Sequence, residues 1–248
     1  MHKSLFYTLI YLSLLPFIVP FSTAQAVEKP AVMLAKIFQS PVDIRQYWVS
    51  EKLDGVRARW NGQQLISRGG TRLHAPKWFI DGFPSTPLDG ELWIARDKFQ
   101  QTLSCVRKIH IDENCWRKVR FMVFDLPRNP SIFTQRIEVM KQVTRQVNSI
   151  YLVMIKQFKL EDNEQLESKL NHIIANKGEG LMLHHGSAYY HVGRTANIMK
   201  LKIHQDAEAT VSAYIGGKGK YQGMLGSLKV KTATGIIFNI GSGFSDDE

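Results

Sequence analysis

The chain has 248 residues, 44% of them hydrophobic and 22% charged, with a formal charge of +10 and only two cysteines. That balance excludes a disordered tail, a disulfide-dense miniprotein and a membrane-embedded bundle, and gives enough chain for one large domain or two smaller ones. The surplus of Lys and Arg favours polyanionic partners, nucleic acid above all, because neutralising phosphates releases counterions.

The first predicted element is a leader. His2 and Lys3 form a polar start, Leu5 to Phe21 is apolar, and Ala24-Gln25-Ala26 is a small-x-small cleavage site. Those parts, in that order, predict a signal peptide over residues 1–26 and an exported mature chain that begins near Val27. The alternative, a membrane anchor, has to accommodate Pro16 and Pro20 in a run near the short end for a span. No later run is long enough to cross a bilayer, so no membrane association is expected after cleavage. Lys3 is the only charged residue in the leader, so the mature chain stays strongly basic.

Short runs rich in Val, Ile, Phe, Tyr and Trp, bounded by Gly, Pro and Asn, predict strands at 47–53, 56–60, 63–68, 87–94, 118–126, 150–158, 179–185 and 197–203. Helical periodicity places Ile137, Met140, Val143 and Val147 on one face over 134–147. Leu166, Leu170, Ile173 and Ile174 share a face over 161–176. A shorter helix is expected at 98–106. After His204 the texture changes to three strands with Gly- and Lys-rich turns. The expected fold is α+β, with mixed and antiparallel sheets and flanking helices over 27–203, then a small β-domain over 204–248. Cys105 and Cys115, ten positions apart, either close a small loop or remain two thiols.

The segment SEKLDGVRARW, Ser50 to Trp60, carries the chemistry. A free lysine titrates at about 10.4, so Lys52 needs cations, a metal or desolvation around it to act as a nucleophile. Arg57, Arg68, Lys200 and Lys202 are the candidate cations. Asp54 falls two residues after Lys52, on the same face if the strand persists. Lys200 and Lys202 alternate with Met199 and Leu201, so both face one side of a strand and repel each other unless an anion lies between.

The run K-L-D-G-V-R, Lys52 to Arg57, resembles the K-x-D-G-x-R signature of covalent nucleotidyltransferases, which include ATP-dependent DNA ligases, RNA ligases and mRNA capping enzymes. Further blocks of that superfamily follow in order. They are SRGG from Ser67, LDGELW from Leu88, FMVFDL from Phe121, EGLML from Glu179 and IMKLK from Ile198. With the leader, the resemblance is to small periplasmic bacterial ATP-dependent DNA ligases. It implies an adenylation domain followed by an OB-fold. It also implies a monomer that seals nicked duplex DNA with ATP and Mg²⁺ or Mn²⁺.

Carried over, the resemblance makes Lys52 the nucleophile, with Asp54 orienting it or serving the metal. Glu51, Arg57 and Arg68 belong to the nucleotide, Glu91 to the ribose and Phe124 to the adenine. Glu179 takes the metal, while Lys200 and Lys202 grip the phosphates. RNA ligation is the alternative within the superfamily. The family's last basic block and two barrel strands have no counterpart before Glu248, which implies a truncated OB-fold and slow self-adenylation, or an impaired nucleic-acid-binding module.

Overall fold

The computed structural model describes residues 29–147, 149–203 and 208–241. The expected signal peptide lies outside the described residues. Two sheets and five helices make the larger unit, and a third sheet makes the smaller one.

The first sheet has the order β1-β11-β10-β2-β9, formed by Met33–Ile37, Gly193–Leu201, Leu181–His185, Tyr47–Glu51 and Gln157–Phe158. Only β1 and β11 run parallel in it. Its strands alternate, as a half-buried sheet requires. Val49, Leu181, Leu183 and Met199 turn to one face and pack with Leu166, Leu170 and Ile173 of helix α5, Asn163–Ala175. Asp162 caps that helix by accepting from the Gln165 amide at 2.8 Å.

The second sheet has the order β5-β4-β3-β6-β7-β8: Arg72–Leu73, Leu65–Ser67, Val56–Trp60, Leu88–Trp93, Arg120–Asp125 and Leu152–Met154. Its buried face carries the larger core, with Ala58, Trp60, Leu92, Phe121 and Val123. Helices α1 (Lys77–Ile80), α2 (Phe99–Arg107), α3 (Glu113–Trp116) and α4 (Phe133–Val147) supply Phe79, Cys105, Val106, Trp116, Ile137 and Met140 to that core. A disulfide joins Cys105 to Cys115 and so ties α2 to α3, which settles the alternative left by the sequence.

Arg136 breaks the apolar face of α4. It is wholly buried and donates to both carboxylate oxygens of Asp125 at 2.6 and 3.0 Å, and to the Ser131 and Ala188 carbonyls. A buried acid and base are tolerated here because each has its hydrogen bonds filled.

The run at 150–158, expected as one strand, is two. β8 pairs parallel with β7 in the second sheet, and β9 pairs with β2 in the first. The chain between them passes from one sheet to the other at their edges. The third sheet, β12-β13-β14 (Ala209–Gly216, Leu225–Thr232, Ile237–Gly241), is an antiparallel meander and no closed barrel among the described residues.

Candidate active site

The two large sheets turn their uncovered faces toward each other across a cavity of about 340 Å³. Register explains which side chains line it. Gln157, Ser50, Met182 and Lys200 are cross-strand partners in one row of the first sheet, and His184 and Ile198 form the next. Facing them, Arg57 and Glu91 are paired on β3 and β6, and Phe124 stands on the same face of β7.

Lys52 sits just past the end of β2, its amide donating to the Gly180 carbonyl at 2.9 Å. Its amine is partly enclosed and donates to Glu179 Oε2, while Lys202 contacts Oε1 of the same carboxylate. Gly180 sits among these three groups with φ at +150°, and a Cβ there would lie 2.2 Å from the Leu201 carbonyl oxygen. Only glycine lets the strands approach so closely. Burial pushes Glu179 up, but hydrogen bonds from Lys202 and Lys52 outweigh it and hold the acid below its usual range.

The strand does not persist through Asp54, so the condition for its sharing a face with Lys52 is not met. β2 ends at Glu51, and Asp54 lies in the exposed turn before β3, outside the cavity lining. Burial, then the nearby Glu179 charge, raise its carboxyl, while Lys52 and Lys202 pull the other way. Asp54 and Glu179 are near enough for the Glu179 charge to raise the Asp54 carboxyl, and Lys52 and Lys202 lie beside them. No group of three or more His, Cys, Asp or Glu that could hold a metal occurs among the described residues. This donor set fits Mg²⁺, which keeps several waters and needs only one or two protein carboxylates beside phosphate oxygens.

Arg57 is not a free phosphate fork, as the sequence suggested. It donates to Asp89 at 3.1 and 2.7 Å and to the Met33 carbonyl at 2.8 Å, with its guanidinium 5.2 Å from the centre of the Phe124 ring. Asp89, fully buried, also accepts from the Tyr190 hydroxyl at 2.8 Å. Sequence reasoning passed over Asp89 and Tyr190. The carboxylate of Glu51 is likewise taken, by a two-pronged contact from Arg96 at 2.7 and 2.9 Å. Among the described residues, Arg68, Arg194 and Lys200 line the cavity with no ion pair, and these are the cations open to an anion, although Arg194 also donates to the Ala35 carbonyl at 2.7 Å.

Glu91 faces the cavity, and burial pushes its carboxyl up to about 8 against the pull of Lys52 and Arg57. It can therefore present a proton as well as accept one near neutral pH. Phe124 is no core residue. On β7 the alternation buries Phe121, Val123 and Asp125 and leaves Phe124 to the cavity, where its ring can stack a base.

A lysine at the mouth of a pocket with acids, cations and a stacking ring defines a covalent nucleotidyltransferase. Residues 32–202 match the ATP dependent DNA ligase domain and residues 216–248 the DNA ligase OB-like domain, so the chain belongs to the ATP-dependent DNA ligases. It is 36% identical to a DNA ligase of Haemophilus influenzae, over 81% of this chain and 74% of the relative. A structure described in a structure–function analysis of Lig E DNA ligases superposes with a TM-score of 0.83 at 43% identity, covering 88% of this chain and 86% of the other. The Chlorella virus DNA ligase–adenylate shares the fold at 21% identity and a TM-score of 0.59, over 89% of this chain and 87% of that one.

Proposed function

We propose that the cavity takes ATP with its base on Phe124, its ribose at Glu91 and its α-phosphate at Lys52. The observation that carries this reading is convergence: residues from six separated stretches, 50–57, 68, 91, 124, 179–184 and 198–202, meet at one cavity and its mouth.

The Lys52 amine must first leave Glu179 and shed a proton, because an ion-paired ammonium is no nucleophile. That proton passes to solvent, because a carboxyl held below its usual range does not keep it. The amine then attacks the α-phosphorus, a nitrogen–phosphorus bond forms, and the bond to pyrophosphate breaks. Lys200, Lys202 and Arg68 offset the charge of the transferring group. A nick's 5′-phosphate next displaces Lys52 to take the AMP, and the 3′-hydroxyl displaces AMP to close the strand. Asp54 and Glu179 would hold Mg²⁺, which would neutralise phosphate charge. Arg57, fastened to Asp89, sets the position of Phe124 rather than gripping phosphate.

Export is part of the same reading. The leader supports it, and so does the Cys105–Cys115 disulfide, which suits an oxidising compartment such as the periplasm. The test is intact-mass measurement of the mature chain with ATP and Mg²⁺. A covalent AMP that disappears in Lys52→Ala supports the proposal. A wild-type chain that never gains AMP sinks it.

A further inference from the structure

Two buried polar atoms at the cavity lack any partner. Among the described residues, His184 Nε2 and Gln157 Oε1 are enclosed and make no hydrogen bond, although both side chains line the cavity. The other such atoms, on Arg59, Trp78 and Trp116, belong to residues outside the cavity lining. Native proteins seldom leave buried polar atoms unmatched, and a pair of them at one pocket asks for a ligand with matching groups.

Their depth fits the far edge of a nucleotide base. Gln157 is opposite Ser50 and His184 opposite Trp48 on β2, two and four residues back from Lys52. At about 3.3 Å per residue they lie roughly 7 and 13 Å below the level of the nucleophile. A nucleotide spans that interval between its α-phosphate and the outer edge of its base.

The chemistry of His184 is set by its neighbours. Its ring is stacked on Phe133, with centroids 3.5 Å apart, and it is 5% exposed. Burial, then the charges of Arg136 and His185, hold it well below its usual titration range, so it is neutral. Asp125 Oδ2 lies 4.0 Å from Nδ1. A carboxylate on that side favours the proton on Nδ1, which leaves a lone pair on Nε2. The Gln157 carboxamide can turn either end inward, so it can add a bond without choosing the base. The choice rests with His184.

We propose that His184 selects the base by accepting a hydrogen bond at Nε2 from an exocyclic amine on purine C6, with Gln157 taking the second amine hydrogen. This rests on the nucleotide reading of the cavity and deepens it. A purine with a carbonyl at C6 would set lone pair against lone pair. Moving the histidine proton to Nε2 to receive that carbonyl would turn a lone pair on Nδ1 toward Asp125.

The experiment compares rates of covalent nucleotide loading, read by intact mass, at subsaturating ATP, inosine triphosphate and purine riboside triphosphate, which lacks any C6 group. The wild type should prefer ATP by about 10-fold over the purine analogue and about 100-fold over the inosine one, as expected when a buried partner is lost or opposed. His184→Phe, which keeps the stack on Phe133, should lower loading with ATP and so bring ATP and the purine analogue within about threefold. Gln157→Leu, at a sheet edge where folding is little disturbed, should lower the ATP preference in part. Equal loading of all three by the wild type, or an undiminished preference in His184→Phe, overturns the proposal while leaving the reaction class intact. No loading with ATP at all overturns both.

Discussion

Lys52 and Glu179, 127 residues apart in the chain, are joined by a hydrogen bond between side chains while the Lys52 amide bonds to the carbonyl of the residue after Glu179. The proposed nucleophile is thus clamped twice to one strand end, once by backbone and once by charge. The backbone bond fixes where Lys52 stands. On the proposed mechanism, the side-chain contact decides when it reacts.

Replacing that acid should separate the two effects. Glu179→Gln is expected to slow AMP loading about 100-fold, the scale seen when one preorganised charge contact is removed from a transition state. Because Lys202 and Lys52 hold the native carboxyl below its ordinary range, it contributes stability above about pH 4.5 that is lost as the pH falls. The variant should lack that acid-side loss. Loading rates at pH 7.5 and chemical denaturation from pH 3 to 6 would check both statements.

Glu91 has the opposite sign. Its folded value of about 8 lies above its ordinary 4.5, so in that window the unfolded chain holds fewer protons than the folded one. Stability of the nucleotide-free protein should therefore fall as pH rises through the window, by up to about 1.4 kcal/mol per pH unit from this group. Asp54 contributes in the same direction, so the comparison is with Glu91→Gln, which cannot ionise. The variant should be the more stable protein at pH 8.5, by denaturation in urea.

Arg57→Ala would take the two-pronged cation from Asp89, whose side chain is 0% exposed, and leave it the Tyr190 hydroxyl and Arg59 at 4.0 Å. Breaking such a pair from one side costs about 3–5 kcal/mol. Arg57→Lys should recover only part of this, because an ammonium cannot reproduce the fork on Asp89 together with the contact over Phe124. Urea midpoints of the two variants would show the order wild type, Lys, Ala.

The disulfide offers a control distant from the chemistry. Cys105 and Cys115 do not line the cavity, and their bond closes a short loop between α2 and α3. Replacing both with Ser is expected to lower stability by about 3 kcal/mol, the chain-entropy figure for a loop of this size, and to leave AMP loading at 25 °C unchanged.

Much of this site was legible in the sequence because its groups sit at strand ends within short apolar runs. Alternation alone put Lys200 and Lys202 opposite Met199 and Leu201, and the structure buries Met199 in the core shared with α5 and packs Leu201, partly buried, against it. The α-helical periods at 134–147 and 161–176 fall on α4 and α5. What stayed hidden depends on long-range pairing. Nothing near Arg57 says that its fork closes on Asp89, or that Arg96 occupies Glu51, because those partners come from other strands and loops. Arg136 on an otherwise apolar helical face and the split of 150–158 between two sheets were invisible for the same reason. β1 escaped notice because MLAKI has too little alternation to announce a strand.

Gly180 has a wider reach than its size suggests. A methyl group at that spot would push apart the main chains that carry Lys52, Glu179 and Lys202 together, since it would collide with the Leu201 carbonyl. The spacing of the three is therefore inherited as a unit, and no one of them can wander without dislodging its fellows. A change in the cavity wall acts at one place, but the crossing at Gly180 tolerates a single hydrogen where every other amino acid brings carbon.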